Sequence, residues 1–195
     1  MNTDKKRQAW LSAMTQKLRS HFKSVGYEIP ANVRVSCGWP SKGGRAAAKR
    51  TIGQCWCSST SEGDVYEIFI SPTVADSEKA AEVLAHELCH ATVGIPAGHG
   101  PKFKKIATAI GLVGAMRATE AGPVFLDFVK PVIAKLGAYP HEVINGTDGS
   151  KKQTTRQLKV SCAVDGEYTV RMTQKWLDAH GAPICPCHGE VMEIA

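Results

Sequence analysis

Between residues 4 and 25, Trp10, Leu11, Met14, Leu18, Phe22 and Val25 recur at helical spacing, with Lys and Arg on many of the remaining positions. This predicts an amphipathic helix packed by its apolar stripe on the rest of a domain; a membrane-surface helix or a transit segment shares the pattern. The chain then changes to β-type patterning at 32–38, 51–58 and 65–71. The polar turn before residue 65 suggests a hairpin and an antiparallel sheet. Ser77 opens a second helical pattern with Ala80, Val83, Leu84, Leu88 and Ala91, ended by Gly94 and Pro96. Pro101 suits the first turn of a further helix with Phe103, Ile106 and Ile110 on one face, and another helix is expected within 123–136, bent near Pro131.

Residues 145–156 carry almost no apolar side chain and read as a linker. The expected organisation is therefore a catalytic-size domain over 1–144, a linker over 145–157 and a small Cys-bearing module over 158–195. The chain has 195 residues and a formal charge of +6, enough length to bury one substantial core. The charge is uneven: residues 1–60 hold eleven Lys and Arg against two acids, a surplus of nine. Local basicity of this kind points to a polyanion, nucleic acid first, with a solvated basic face as the bland alternative. The uncharged stretch 106–116 is too short and Gly-rich to cross a bilayer, and Lys17, Arg19 and Lys23 interrupt any signal-peptide core. A cytoplasmic or nucleoid-associated protein is expected, neither secreted nor bound to membrane. Seven cysteines, with pairs at Cys55/Cys57 and Cys185/Cys187, fit reduced thiols and metal ligation better than a disulfide framework.

The second helical pattern contains His86-Glu87-Leu88-Cys89-His90, an H-E-x-x-H. A separation of four turns both imidazoles onto one helix face, which is zinc-chelating spacing. Glu87 lies about 100° round the helix from His86 and so suits a general base better than a ligand. Catalytic zinc usually takes three protein ligands and leaves one position open. His99, between Gly98 and Gly100, is favoured as the third because glycine lets the backbone return; Glu120 is the alternative.

Together, His86-Glu-Leu-Cys-His90 and the following Gly98-His-Gly-Pro-Lys-Phe103 resemble the SprT-like, Spartan-related zinc metallopeptidase family. The resemblance implies an α+β, zincin-like domain with a small antiparallel sheet and an active-site helix, His86, His90 and His99 on a catalytic zinc, and Glu87 as base. It also implies cleavage of proteins bound or crosslinked to DNA. A small zinc-ribbon-like β module is common at the C-terminal end of such proteins. Here Cys162, Cys185, Cys187 and His188 stand for it, irregularly: Cys162-Ala-Val-Asp165 faces Cys185-Pro-Cys187-His188, so Asp165 and His180 are further candidates for a second, structural zinc. The alternative is a degenerate ribbon held by Val170, Trp176 and Leu177.

Lys42, Arg45, Lys49 and Arg50 occupy a Gly-containing loop bracketed by Trp39 and Trp56, a mixture suited to nonspecific DNA through phosphate contact and base stacking. Lys151, Lys152, Arg156 and Lys159 offer a second basic stretch. Residues 65–71 offer an edge against which an extended protein substrate aligns, or simply a sheet strand. Cys37, Cys55, Cys57 and Cys89 read as small packing residues. The competing function is a DNA-binding or transcription-associated factor with a structural zinc and a vestigial peptidase site; a small-molecule hydrolase leaves the local basicity unexplained.

Overall fold

The computed structural model describes residues 3–41, 50–144 and 157–195, and the chain divides into two compact units, Met1–Asp148 and Gly149–Ala195. Apart from Gln157, the expected linker lies outside the described residues, as do Lys42, Arg45 and Lys49. The architecture is α+β. Among the described residues there are five α-helices and three small sheets, and no helix is long and apolar enough to cross a membrane.

Helix α1 (Thr3–Ser24) buries Trp10, Leu11, Met14, Leu18 and Phe22 almost completely, so its apolar stripe belongs to the core and not to a membrane surface. Its far end is tied down by Arg19, whose guanidinium donates to the carbonyls of Ile29 and Pro30 at 2.8 Å each. Strands β1 (Val33–Cys37), β2 (Gly53–Trp56) and β3 (Tyr66–Ile70) form one sheet in the order β1-β3-β2. The β2–β3 pair is antiparallel, as the polar turn suggested, but β1 runs parallel to β3 in the register Val33↔Tyr66. The expectation of an antiparallel sheet is thus corrected to a mixed one. The polar turn joins only β2 to β3 and so sets the direction of that pair alone, while β1 comes from a separate segment; β3, with Ile68 and Ile70 fully buried, takes the centre and β1 and β2 flank it. With neighbours on both sides, 65–71 has no free edge for a substrate. Among the described residues the outer strands of this sheet are β1 and β2.

Helix α2 (Ser77–Val93) is capped by Asp76, whose carboxylate accepts from the Lys79 amide at 2.7 Å, and stops at Gly94 with φ 83°. Ala80, Ala81, Val83, Leu84, Ala85, Leu88, Cys89 and Ala91 are all buried. Apolar residues on nearly every side make α2 an interior helix; it packs against α1, β2 and β3 and against three later elements, α3 (Pro101–Ala109), β5 (Ala118–Ala121) and α4 (Pro123–Leu136). Helix α4 runs through Pro131 and buries Phe125 and Val129. Strands β4 (Leu112–Ala115) and β5 form an antiparallel hairpin that the sequence pattern did not suggest. Its base is fixed by Gly122 N–H donating to Gly111 O at 3.0 Å. Gly111 sits at φ +92°, and a Cβ there would lie 2.5 Å from the Phe125 amide nitrogen, so only glycine lets the hairpin close onto α4.

The second unit has strands β6 (Gln157–Ser161) and β7 (Thr169–Thr173), helix α5 (Gln174–His180) and β8 (Glu193–Ile194), with sheet order β7-β6-β8, all antiparallel. Its core is Val160, Cys162, Leu177, Cys185 and Met192, with Val170 packed against it. Trp176, by contrast, is 54% exposed and stacks on His180 at 5.1 Å.

Candidate metal centre and its cleft

His86 and His90 stand one turn apart on α2, and the chain after Gly94 folds back to bring His99 onto the same spot. The return runs through a 3-10 turn, Ile95–Ala97, and then Gly98 at φ 51°, ψ −137°, a conformation available to glycine and costly for any other residue. His99 Nε2 ends 3.2 Å from Nε2 of His86 and 3.2 Å from Nε2 of His90. Glu120, the alternative third ligand, is an exposed residue of β5 that lines the cleft outside this group. Below the three rings lies Phe103 of α3, fully buried, its ring centre 4.9, 4.5 and 5.0 Å from those of His86, His90 and His99.

Burial first, and the neighbouring histidines second, push His86 down to about 3; burial and then His99 push His90 down to about 4. His99 is lowered by burial and by the nearby Arg117 guanidinium. At neutral pH all three rings are therefore neutral, and three converging Nε2 atoms cannot all carry protons at 3.2 Å. Three lone pairs aimed at one point is the donor set that zinc takes, so these residues fit the metal.

Glu87 is 6% exposed, and burial raises its carboxyl from 4.5 to about 8, offset in part by a hydrogen bond from the Cys55 amide of β2. Gly53, also on β2, lies against it: a Cβ there would meet Glu87 Oε1 and Val83 Cγ1, each at 2.5 Å. Gly53→Ala is accordingly expected to displace the carboxyl, lowering turnover about 100-fold and stability by about 1–3 kcal/mol with metal content unchanged. Steady-state kinetics beside metal analysis checks this; full activity would mean that the strand yields and the carboxyl does not.

A cleft of about 760 Å³ opens over these groups, lined by Arg50 to Cys55 from β2 and its approach, by α2, by His99 and by Arg117 to Glu120 of the hairpin. From the hairpin, Thr119 reaches in to hydrogen-bond His86 Nδ1 at 2.8 Å. Neither Gly53 nor Thr119 was visible as a site residue in the sequence, because each acts through a packing contact between distant segments.

In the second unit, Cys162, Cys185 and His188 converge into another group able to hold a metal. His188 Nδ1 lies 3.3 Å from Cys162 Sγ and 4.0 Å from Cys185 Sγ, while its Nε2 lies 3.7 Å from Asp165 Oδ2. Cys187 is exposed and outside the group. The turn closed by Gly189 N–H donating to Cys185 O at 2.8 Å brings residue 188, three after Cys185, back toward it, whereas residue 187 faces solvent.

Of the expected nucleic-acid residues, Arg50 lines the cleft and Trp39 is half-buried. Trp56 is half-buried too, with an indole N–H that has no partner among the described residues. Cys89 is buried as packing, and Cys37, Cys55 and Cys57 belong to neither metal-capable group. His21 and His141 are structural: His21 stacks on Phe128 at 4.0 Å, and His141 joins Arg7 to the Pro72 carbonyl.

A mixed α+β unit in which two histidines of a buried helix and a third from the following loop converge beside a buried carboxyl has the parts of a metal centre. The family model for SprT-like proteins matches residues 11–121, and the chain belongs to the SprT-like family. That match runs from within α1 to the end of β5 and so includes the whole centre and its cleft. Among curated proteins no match was found, and none among solved structures.

Proposed function

We propose that this chain is a zinc-dependent endopeptidase that acts on proteins associated with DNA. The observation that carries the reading is the convergence of His86 and His90 of α2 with His99 from the following loop, beside the buried Glu87 carboxyl and open to a cleft. When bound, zinc supplies a Lewis acid that activates water and polarises the scissile carbonyl. His86, His90 and His99 hold it. Glu87, next to His86 on α2, would in its carboxylate form take the proton from the attacking water and return it to the leaving amide nitrogen; a cation held by the three histidines beside it favours that ionised form against the burial that otherwise raises its pKa. The outer edge of β2, which pairs with no strand among the described residues, and the exposed Arg117 and Glu120 give an extended protein segment backbone and charged groups to meet.

The DNA association rests on the family and on the basic surplus in residues 1–60. Cys162, Cys185 and His188 hold a second, structural zinc, with the Asp165 carboxylate orienting His188 from its other nitrogen. A module of this size, with a five-residue core, needs such a staple.

The test is elemental analysis joined to a cleavage assay on unfolded and DNA-bound protein. Two zinc ions per chain are expected, one lost in His99→Ala and the other in Cys185→Ser, with cleavage abolished by a chelator and restored by zinc. Zinc-loaded protein that cuts neither substrate, while still binding DNA in a salt-dependent way, would favour the DNA-binding factor instead.

A further inference from the structure

The two nitrogens of His86 have opposite duties. Nε2 faces the point where the three rings converge, 3.2 Å from His99 Nε2, while Nδ1 faces the hydroxyl of Thr119 at 2.8 Å. A neutral imidazole carries one proton, and a ring that offers its Nε2 lone pair to a metal must keep that proton on Nδ1. An N–H directed into a packed interior needs an acceptor, and a hydroxyl oxygen has lone pairs to give.

The placement of Thr119 follows from the strand. On β5 it is 5% exposed, whereas Ala118 and Glu120 on either side are exposed, so the two-residue alternation turns this one side chain toward α2. Its backbone is fixed by pairing opposite Gly114 on β4, and the hairpin is fixed at its base by the Gly111–Gly122 contact against α4. The hydroxyl is thus held by rigid structure. Among the described residues it is the one group bonded to an Nδ1 of the three histidines.

We propose that Thr119 is a positioning residue of the metal centre: its hydroxyl accepts the Nδ1 proton of His86 and so fixes the tautomer and ring plane that aim Nε2 at the metal. The inference rests on the zinc-centre reading above and adds a residue to it that no motif marks. Serine can perform the same task. Valine has nearly the shape of threonine but no acceptor, and leaves His86 free to rotate or to carry its proton on Nε2, where it blocks ligation.

The experiment uses the full chain and zinc alone as the probe. Affinity is measured by competition with a chromophoric chelator, scoring the binding event that is absent from His99→Ala. Thr119→Val is expected to weaken that event about 10- to 100-fold, the range for lost outer-sphere partners of a ligating histidine, with Thr119→Ser close to wild type. Long-range ¹⁵N–¹H spectra of the metal-free protein should show His86 protonated on Nδ1 in wild type and Thr119→Ser, and shifted toward Nε2 protonation in Thr119→Val. Equal affinity of wild type and Thr119→Val overturns the proposal. So does an equal loss in Thr119→Ser and Thr119→Val, which would assign the effect to strand packing. A wild type with no zinc event dependent on His99 would overturn the centre itself, and is told apart because no Thr119 variant could then differ from it.

Discussion

Replacing Glu87 by Gln is expected to lower proteolytic turnover by about 100- to 10,000-fold, the range for removal of a general base, while zinc binding and folding persist. The amide keeps the size of the carboxyl, and its oxygen still accepts from the Cys55 amide that now bonds Glu87. In the metal-free protein the variant should gain stability relative to wild type as pH rises. Burial raises the folded-state pKa of Glu87 from 4.5 to about 8, so the folded chain holds this proton more tightly than the unfolded chain. That contribution is full below pH 4.5 and is lost as pH rises through 8. The stability advantage of Glu87→Gln over wild type should therefore grow across that window, and denaturant titrations at pH 5 and pH 8 would measure it. Unchanged cleavage by the Glu87→Gln protein would remove Glu87 from the chemistry.

Phe103→Ala should be the most damaging single change to the framework of the site. The ring is fully buried, and its centre lies within 5.0 Å of those of all three histidines, so deletion leaves a cavity directly beneath the ligands. The expected cost is about 3–5 kcal/mol, read from chemical denaturation of the metal-free protein. Zinc affinity should fall with it, because rings that lose their common support spread over more rotamers. Phe103→Leu, which refills most of the volume, should recover most of both quantities. A cost below about 1 kcal/mol would mean that α2 and α3 collapse into the space.

What could be read in the sequence was local. The i, i+4 pair His86/His90 needs only a helix, and α2 announces itself by its apolar period and Gly94. His99 was legible because Gly98 and Gly100 mark a sharp return. The direction of β1 against β3 was not, because nothing local in either strand sets which way a partner from a separate segment runs. The β4–β5 hairpin escaped because Leu-Val-Gly-Ala and Ala-Thr-Glu-Ala are too short and too small to show alternation, and Thr119 escaped with it. Gly53 had no signal, since its role is the space it leaves for a side chain 34 positions away. In the second unit the sequence named Cys162, Cys185, Cys187 and His188 alike; the turn there brings His188 to Cys162 and Cys185 and leaves Cys187 exposed outside that group.

The centre draws on Gly53 and Cys55, on His86, Glu87 and His90, on His99 and Phe103, and on Thr119, all docked around one interior helix. During synthesis the two motif histidines leave the ribosome well before the hairpin that steadies the first of them. A partly made chain thus has the pentapeptide without its third ligand or its support, and cannot assemble the proposed hydrolytic centre. If the centre acts as proposed, no hydrolysis begins until the first unit is nearly complete.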